Sequence, residues 1–336
     1  MDSKKLILLT CCLLLSNASV WAQSKTGTTI GQFLMIEPSA RVAAMGNAGV
    51  TTFDEITAAY FNPGVLGRME SSGAQFTHSE WLADIKYRYA AVGIQMGGAG
   101  AMMLTVTSLS SGEIDVRTVE QPLGTGERYS VEDLALGLAY SRRITDRFSA
   151  GLHVKYLRET IWHSSLSALS LDFGVHYQLP FQAYIGASLS NFGTRGQYDG
   201  RDLRIRFDQD PDRFGDNSNL PAALETEDYP LPITFRVGLG MPLQFGANNS
   251  LTLVVDAIQP SDNTQSLSFG GEWTFMNLLS ARAGYQHLFQ EDSETGLTAG
   301  AGLNYELSGY GVRFDYAWGD HGRLGSTQRF TLGVAF

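Results

Sequence analysis

The feature that most constrains this chain is a period-two alternation of apolar and polar side chains, which recurs from about residue 73 to residue 336. Successive side chains of a β-strand point to opposite faces, so this period indicates strands with one apolar face. Each alternating stretch is about ten residues long and ends at turn residues, which suits a tilted strand that crosses a membrane. The sequence therefore favours an all-β fold.

The polar faces of these strands separate two all-β folds, a transmembrane barrel and a soluble sandwich. In residues 148–156, Leu152 and Val154 alternate with Gly151, His153 and Lys155. Such faces are rich in glycine and carry scattered charges of both signs, as a barrel lumen does. A solvated sandwich face usually carries more lysine and glutamate, whereas charged residues make up only 17% of this chain. We therefore expect a transmembrane antiparallel β-barrel.

Aromatic residues near the ends of the predicted strands agree with a barrel, because aromatic girdles lie at both membrane interfaces. We assign to these girdles Tyr87, Tyr89, Tyr156, Tyr177, Tyr285 and Trp318. Beyond residue 22 no stretch has 18 consecutive apolar residues, which excludes helical spans.

The connections between strands alternate in length, as a barrel with both termini in the periplasm requires. Counting the segments gives about 14 strands, an even number that fits single-chain outer-membrane barrels. The first connection, near residues 83–85, is short for an outer loop and leaves the pairing of the first hairpin open. Short links are predicted at 97–100, 145–146, 179–180, 245–249, 276–279 and 308–311. Longer ones are predicted at about 110–130, 159–165, 191–231, 259–265, 290–295 and 319–326.

The N-terminus has the pattern of a cleaved secretory signal peptide over residues 1–22, with a basic start, a short apolar core and a cleavage site at Ala22. Both cysteines, Cys11 and Cys12, lie inside it, so the mature chain has no disulfide framework and no thiolate ligand. A lipoprotein box ending at Cys11 is the alternative, but it leaves only a very short apolar core. The net charge of −10 argues against nucleic acid as a partner.

The last ten residues form an alternating strand that ends on an aromatic side chain. One face carries Phe330, Leu332, Val334 and Phe336, and the other carries Arg329. A terminal phenylalanine on such a face is the pattern that we associate with recognition by the barrel-assembly machinery. We therefore expect outer-membrane lipid and this machinery among the partners, and the outer membrane of a didermal bacterium as the location.

Residues 31–70 differ from the alternating strands and carry a family resemblance. Three runs carry it: Ala40-Arg41, Ala44-Met45-Gly46 and Tyr60-Phe61-Asn62-Pro63-Gly64, with Leu66 after the last. This segment resembles the N-terminal signature of the PorV/PorQ family of barrels, which is distantly similar to the FadL fatty-acid transporters. The family usually has Asn-Pro-Ala where this chain has Asn-Pro-Gly, a small departure.

The resemblance implies a barrel of 14 strands whose N-terminal segment enters the lumen. We therefore divide the chain into a signal peptide (1–22), a plug (23–72) and a barrel (73–336). The family motif and plug residues are Ala40, Arg41, Met45, Gly46, Tyr60, Asn62, Pro63 and Gly64. The resemblance also implies a role in type IX secretion, with secretion subunits and exported cargo as partners. It leaves open whether the chain is a shuttle like PorV or a scaffold like PorQ.

Polar and charged residues on the inferred lumen faces predict a polar network rather than a catalytic site, because buried charges must be paired or hydrated. We assign to this network His153, Asp172, His176, Arg236, Asp256, Arg313 and Asp315, and place Arg282 and Arg329 beside them. His153 or His176 could pair with Asp172 on the neighbouring strand. No ordered nucleophile motif is present, so we expect no enzyme, no catalytic residues and no cofactor or metal.

The longest connection, residues 195–230, holds nine acidic and five basic residues between aromatic and apolar ones, which predicts a partner-facing loop outside the cell. The residues that we expect to face a partner are Tyr198, Phe207, Phe214 and Tyr229. Residues 208–212 are like the start of a calcium loop, but Arg213 replaces the glycine that its turn needs.

Two other functions stay open at this point. A FadL-like transporter of hydrophobic small molecules would need an apolar pocket behind the plug and a lateral wall opening, for which residues 299–302 are a candidate. A general diffusion porin would need an open aqueous channel.

Overall fold

The computed structural model describes residues 25–210, 212, 219–291 and 293–336, so the predicted signal peptide lies outside the described residues. Within them, fourteen antiparallel strands close into one barrel. The strands are β1 (Gly73–Glu80), β2 (Lys86–Gln95), β3 (Ala101–Ser110), β4 (Val131–Arg143), β5 (Phe148–Ile161), β6 (Ser164–Gln178), β7 (Tyr184–Gly193), β8 (Thr234–Gln244), β9 (Asn249–Pro260), β10 (Ser266–Phe275), β11 (Leu279–Leu288), β12 (Leu297–Leu307), β13 (Tyr310–Asp320) and β14 (Ser326–Ala335). None of the helices in these residues has the length and apolar character to cross a membrane.

The ring closes between the first and last strands, where Gly73 of β1 lies opposite Ala335 of β14. The longest connection separates β7 from β8, and these strands still pair, with Tyr184 opposite Gly240 and Ser190 opposite Thr234. The predicted barrel of 14 strands is therefore confirmed. β1 and β2 form an ordinary antiparallel hairpin, which resolves the pairing that the short first connection left open.

The two ends of the barrel differ in the length of their connections. One end carries the short turns predicted from the sequence, and the other carries the connections 111–130 and 194–233. External loops of single-chain barrels are longer than periplasmic turns, so we assign the second end to the outside. The longer loop predicted at 159–165 is wrong, because β5 extends to Ile161 and β6 begins at Ser164, so only Trp162 and His163 join them.

The segment before β1 runs through the lumen from the outer end to the periplasmic end. The Ile30 amide donates to the Pro230 carbonyl in the outer connection at 3.0 Å, and Arg68 donates to the Arg147 carbonyl in a periplasmic turn at 2.5 Å. Between them lie helices α1 (Ala40–Ala44) and α2 (Ala58–Phe61) and the 3-10 helices Gln32–Met35 and Pro63–Arg68. Most side chains of this segment are buried, so the predicted plug is confirmed.

Glycines on the inner faces of the strands bring the plug into direct contact with the wall. A Cβ atom on Gly174 of β6 would lie 2.0 Å from Asn62 Oδ1, and one on Gly270 of β10 would lie 2.3 Å from the Met45 carbonyl oxygen. Such distances exclude any side chain without displacement of the plug. The glycine content of the polar faces therefore provides the contact surface for the plug.

Two of the aromatic residues expected at the membrane interfaces lie inside the barrel instead. Tyr87 and Tyr89 are 0% and 1% exposed, and the Tyr89 ring meets the Tyr60 ring of the plug edge-on at 6.4 Å. The girdle assignment is wrong for this pair because their positions on β2 alternate with Val92 and Ile94, which face outward. Tyr156, Tyr177 and Trp318 face outward, and Tyr285 stacks on the outward Phe269 at 6.2 Å between ring centroids.

Candidate functional site

A buried ion-pair network joins the plug to the wall at Arg41 of α1. Its guanidinium donates to Glu272 of β10, with Nε 2.8 Å from Oε2, and also binds Asp54 of the plug. Arg41 and Glu272 are both almost fully buried. A short helix can hold this arginine in place because the Ser39 hydroxyl caps it, accepting from the Val42 amide at 3.1 Å.

The same network continues around the wall across three strands. Arg282 of β11 contacts Glu272 at 2.5 Å and Asp315 of β13 at 2.8 Å, and Arg313 Nε lies 2.9 Å from Asp315. With Arg41 and Asp54, the network holds three cations and three anions. Because each cation has an anion beside it, the network avoids the free-energy penalty of an unpaired buried charge. Glu272 was not among the predicted residues, although it lies on the same polar face of its strand as Gly270.

A second polar group surrounds Asp172 on the opposite side of the lumen. Asp172 contacts Lys155 Nζ at 2.8 Å and His153 Nδ1 at 3.3 Å, and it accepts from the Asn191 amide at 2.7 Å. Asn191 lies at a β-bulge in β7 with φ 61°, a conformation that asparagine tolerates. The structure thus brings His153 and Asp172 together and adds Lys155 and Asn191, which the polar-network prediction omitted.

The remaining predicted lumen residues contact the plug. His176 Nε2 lies 3.3 Å from the Thr51 carbonyl, and its ring stacks on Tyr184. It makes no ion pair with Asp172, because both residues lie on β6, four positions and about 13 Å apart along the strand. Asp256 accepts from the Val50 amide at 2.9 Å. A guanidinium nitrogen of Arg236 lies 3.7 Å from a Glu37 carboxylate oxygen, and its guanidinium carbon lies 5.6 Å from the centroid of the Phe61 ring.

The Asn62-Pro63-Gly64 run connects the plug to the wall through hydrogen bonds and backbone contacts. The Asn62 side-chain amide donates to the Val50 and Val175 carbonyls, both at 2.9 Å, while its oxygen accepts from the Gly64 amide. Pro63 begins the 3-10 helix that follows, a position where its missing N–H costs nothing. Gly64 touches the backbone of Gly174. A Cβ atom on Gly64 would lie 2.7 Å from the Gly174 carbonyl oxygen.

The other motif residues also pack against strands. The Ala40 amide donates to Thr331 Oγ1, and the Gly46 amide donates to Thr298 Oγ1, both at 3.0 Å. Gly46 has φ +71° and lies against the Tyr285 carbonyl, so both its conformation and the space require glycine. Met45 is fully buried, and the Tyr60 hydroxyl donates to the Leu34 carbonyl. A functional role for these residues stays a prediction.

The two long outer connections, 111–130 and 194–233, lie on one side of the barrel mouth, and we call them the crown. Arg204–Phe207 pairs with Leu220–Ala223 as a two-stranded ribbon in the connection 194–233. Phe207 and Tyr229 are exposed, whereas Phe214 lies outside the described residues. Tyr198 is turned inward and donates to Glu159 at 3.0 Å. Burial, and then the Glu159 carboxylate, raise the pKa of Tyr198, which keeps it a protonated donor.

The C-terminal strand presents its aromatic face to the outside of the barrel. Phe330, Leu332 and Phe336 are exposed there, and Val334 shares their face. The Phe336 amide donates to the Ser72 carbonyl at 2.8 Å, which joins the end of the chain to the start of β1. Recognition of this face by the assembly machinery stays a prediction.

The described residues contain no group of three or more histidine, cysteine, aspartate or glutamate side chains arranged to hold a metal ion. The polar groups of the lumen bind one another and the plug. Their arrangement therefore holds the plug against the wall.

The match to a protein family identifies the chain more closely than the barrel alone. The family model described as type IX secretion system protein PorV matches residues 19–200, which is more than half of the chain. This chain belongs to the PorV family. It is therefore an outer-membrane β-barrel, and its family is one of secretion proteins rather than enzymes.

Solved structures with the same fold are hydrocarbon transporters and a FadL homologue. The Pseudomonas putida toluene transporter TodX has a TM-score of 0.56 at 12% identity, over 89% of this chain and 98% of that chain. The Ralstonia pickettii toluene transporter TbuX has a TM-score of 0.54 at 12% identity, over 89% and 97%. A Pseudomonas aeruginosa FadL homologue has 0.53 at 11%, over 94% and 99%. No curated protein matches the sequence.

Proposed function

We propose that this PorV-family barrel is a component of type IX protein secretion or cell-surface attachment, and that it binds exported cargo or partner subunits through its outer connections. The observation that carries the proposal is the family match over residues 19–200, which spans the plug and the first half of the barrel.

The filled lumen supports binding rather than passage as the task of this barrel. Inward glycines, the Arg41 network and the Asn62 hydrogen bonds attach the plug to strands on several sides of the wall. Opening a channel would separate many buried polar pairs at once, and each would then need a new partner. A partner therefore has to be held at the outer surface.

The crown offers a surface for such a partner. Val119 and Leu123, at the tip of the connection 111–130, are 100% and 94% exposed, and Phe207 on the ribbon is 48% exposed. Apolar side chains that extend into solvent from a folded rim are typical of interaction sites. The connection 194–233 also carries excess negative charge, which would favour a partner with a basic face.

Site-specific photo-crosslinking in native membranes tests the proposal. A photoreactive residue in place of Phe207 should capture a type IX subunit or an exported cargo protein. The same residue in place of Phe181, which is 67% exposed in a turn at the opposite end of the barrel, serves as the matched control and should not capture that partner. Absence of capture from position 207, or capture of the same partner from both positions, in a host that has the secretion system, would contradict the proposal.

A FadL-like transporter is the alternative that the fold raises. The strands β11 and β12, which hold the residues considered for a lateral opening, pair without interruption from Leu279–Leu303 to Tyr285–Leu297. Gly300 there lies against Ala44 of the plug. A charged lumen and a continuous ladder favour the secretion proposal over hydrocarbon transport.

A further inference from the structure

A cavity of about 410 Å³ lies at the periplasmic end of the barrel, on the periplasmic side of the plug. Plug residues 53–56 form its inner end, and residues 68–72, which connect the plug to β1, form one side. The remaining walls come from the periplasmic ends of β12, β13, β14 and β1. The crown lies at the other end of the lumen, so a ligand of this cavity has to come from the periplasm.

Two inward glycines keep this space open. A Cβ atom on Gly311 of β13 would lie 3.5 Å from the Ala335 Cβ. One on Gly333 of β14 would lie 3.8 Å from its nearest neighbours, which belong to Arg313 and Gln75 of the wall itself. The inward glycines of β6 and β10, by contrast, press directly against the plug. The wall and the plug therefore separate at the periplasmic end and leave room for a ligand between them.

Three buried polar groups that line the cavity lack a hydrogen-bond partner within the described residues. Gln75 is 5% exposed, and its side-chain oxygen accepts from the Thr57 amide at 3.1 Å, but its Nε2 has no acceptor. Arg68 is 7% exposed, and its Nε also has no acceptor. Glu55 Oε1 accepts from the Ser39 hydroxyl at 2.6 Å, whereas the buried Oε2 has no donor. A ligand that satisfies all three groups must carry both a donor and acceptors.

The charges around the cavity favour a cation as that donor. Four carboxylates and two guanidinium groups line it. Asp54 already pairs with Arg41, but Glu55, Glu70 and Glu306 make no ion pair within the part of the chain that the structure describes. Glu70 and Glu306 are exposed at the mouth of the cavity, where they would attract a cation and repel a phosphate group.

The rest of the lining indicates that the cation belongs to a polypeptide. Phe53, Ile56 and Met69 provide apolar surface, against which the methylene groups of a lysine or arginine side chain can pack. The free donors of Gln75 and Arg68 need acceptors, which the peptide carbonyls beside a basic residue supply and a simple polyamine lacks. The walls are inward strand faces rather than lipid-facing ones, which favours a polypeptide from the periplasm over a lipid headgroup.

We propose that this cavity binds a lysine or arginine side chain on an extended segment of a periplasmic protein. The cation lies on Glu55, with Glu70 and Glu306 at the mouth, and the neighbouring peptide carbonyls accept from Gln75 and Arg68. Hydrogen bonds between a cation and a carboxylate are among the stronger ones, so a short segment can be held and oriented there. The inference goes beyond the proposed function, because it adds a periplasmic partner and does not depend on what the crown binds.

Calorimetric titration of the full-length barrel in phosphatidylcholine nanodiscs, which leave both ends accessible, tests the site. The probes are the peptide Gly-Ser-Lys-Ser-Gly with both ends blocked, the same peptide with an acetylated lysine side chain, and 1,4-diaminobutane. We expect the lysine peptide to bind about tenfold or more tightly than the acetylated one, because acetylation removes the charge. Glu55→Gln should weaken binding by about tenfold, and the exposed Glu306→Gln by about twofold to fivefold.

Two further variants separate this site from a general effect of charge. Gly311→Val fills the cavity without a change of charge and should abolish peptide binding, while its Cβ atom meets the wall at an ordinary contact distance and leaves the barrel folded. Glu120→Gln is the matched control, because Glu120 is exposed in the connection 111–130 at the opposite end of the barrel. It should leave binding unchanged.

Equal binding of the two peptides, or unchanged affinity in both Glu55→Gln and Glu306→Gln, would overturn the site. A loss of binding in Glu120→Gln would move the site to the crown and overturn it as well. Binding of 1,4-diaminobutane as tight as that of the lysine peptide would overturn the polypeptide assignment. So would a loss of peptide binding when phosphatidylethanolamine replaces phosphatidylcholine, since a lipid headgroup would then occupy the cavity. None of these outcomes bears on crosslinking from position 207, so the proposed function stands or falls separately.

Discussion

At the scale of single residues, Arg41 is the charge on which the attachment of the plug most depends. Its guanidinium links Asp54 of the plug to Glu272 of the wall, and Glu272 in turn holds Arg282. Removing one partner of a buried pair costs more than the pair itself contributes, because the other charge is left without compensation.

Arg41→Gln should therefore lower the free energy of unfolding by about 3–5 kcal/mol, the range for breaking a buried ion pair. Urea unfolding in lipid vesicles, followed by tryptophan fluorescence, measures it. Arg128→Gln is the control, because Arg128 makes ion pairs with Glu113 and Asp115 in the exposed outer connection. An equal change in both variants would refute a special role for Arg41.

Two adjacent glycines of β10 provide a sharper test of plug packing. A Cβ on Gly270 would lie 2.3 Å from the Met45 carbonyl oxygen. A Cβ on Gly271 would lie 3.3 Å from the flexible end of Leu253 and at an ordinary contact distance of 3.7 Å from the Thr252 carbonyl oxygen. Gly270→Ala should cost about 1–3 kcal/mol by overpacking and should reduce hydrogen-exchange protection in residues 42–49. Gly271→Ala should leave that protection unchanged, and equal loss in both would contradict the packing described.

At the scale of elements, the ribbon of the crown is the part that the barrel can spare. Its strands Arg204–Phe207 and Leu220–Ala223 pair with each other. The residues that flank it are already adjacent, since the Leu224 amide donates to the Leu203 carbonyl at 2.8 Å. A short glycine linker can therefore replace residues 204–223 without moving the strands.

This replacement should leave the barrel folded. We expect the shift in electrophoretic mobility between heated and unheated samples to match that of the full chain, because the strand ladders do not involve the ribbon. A variant that fails to fold would show that the ribbon contributes to the barrel itself.

The faces of the elements were largely predictable from the sequence, because lipid requires apolar side chains on every second residue. β14 is an example, with Phe330 and Leu332 outside and Thr331 inside. The inward position of Tyr87 could have been predicted too, since Val92 fixes the outward parity of β2. The two-residue turn at Trp162 was missed because the strand residues on either side of it are mostly polar and do not show the apolar alternation that identifies a strand.

The partners within the lumen could not be predicted in the same way. That Arg282 lies between Glu272 and Asp315 depends on the registers of β10, β11 and β13, which side-chain alternation does not determine. The plug contacts depend on the path of a segment with little regular structure. Residue types and faces followed from the sequence, and pairings followed from the fold.

At the scale of the whole molecule, the barrel combines a fixed interior with a one-sided outer surface. Glycines and ion pairs hold the plug, and the connections 111–130 and 194–233 build the crown above β3–β8. This division assigns partner binding to the outside of the barrel and stability to its lumen.

Quantitative co-purification from native membranes tests this account most directly, by comparing the full chain with the variant that lacks residues 204–223. In a host that has the type IX system, the full chain should recover secretion subunits or exported cargo, and the variant should lose them at an equal barrel yield. Recovery of no such partner by the full chain, or equal recovery by both, would contradict the central claim that the crown binds the partners.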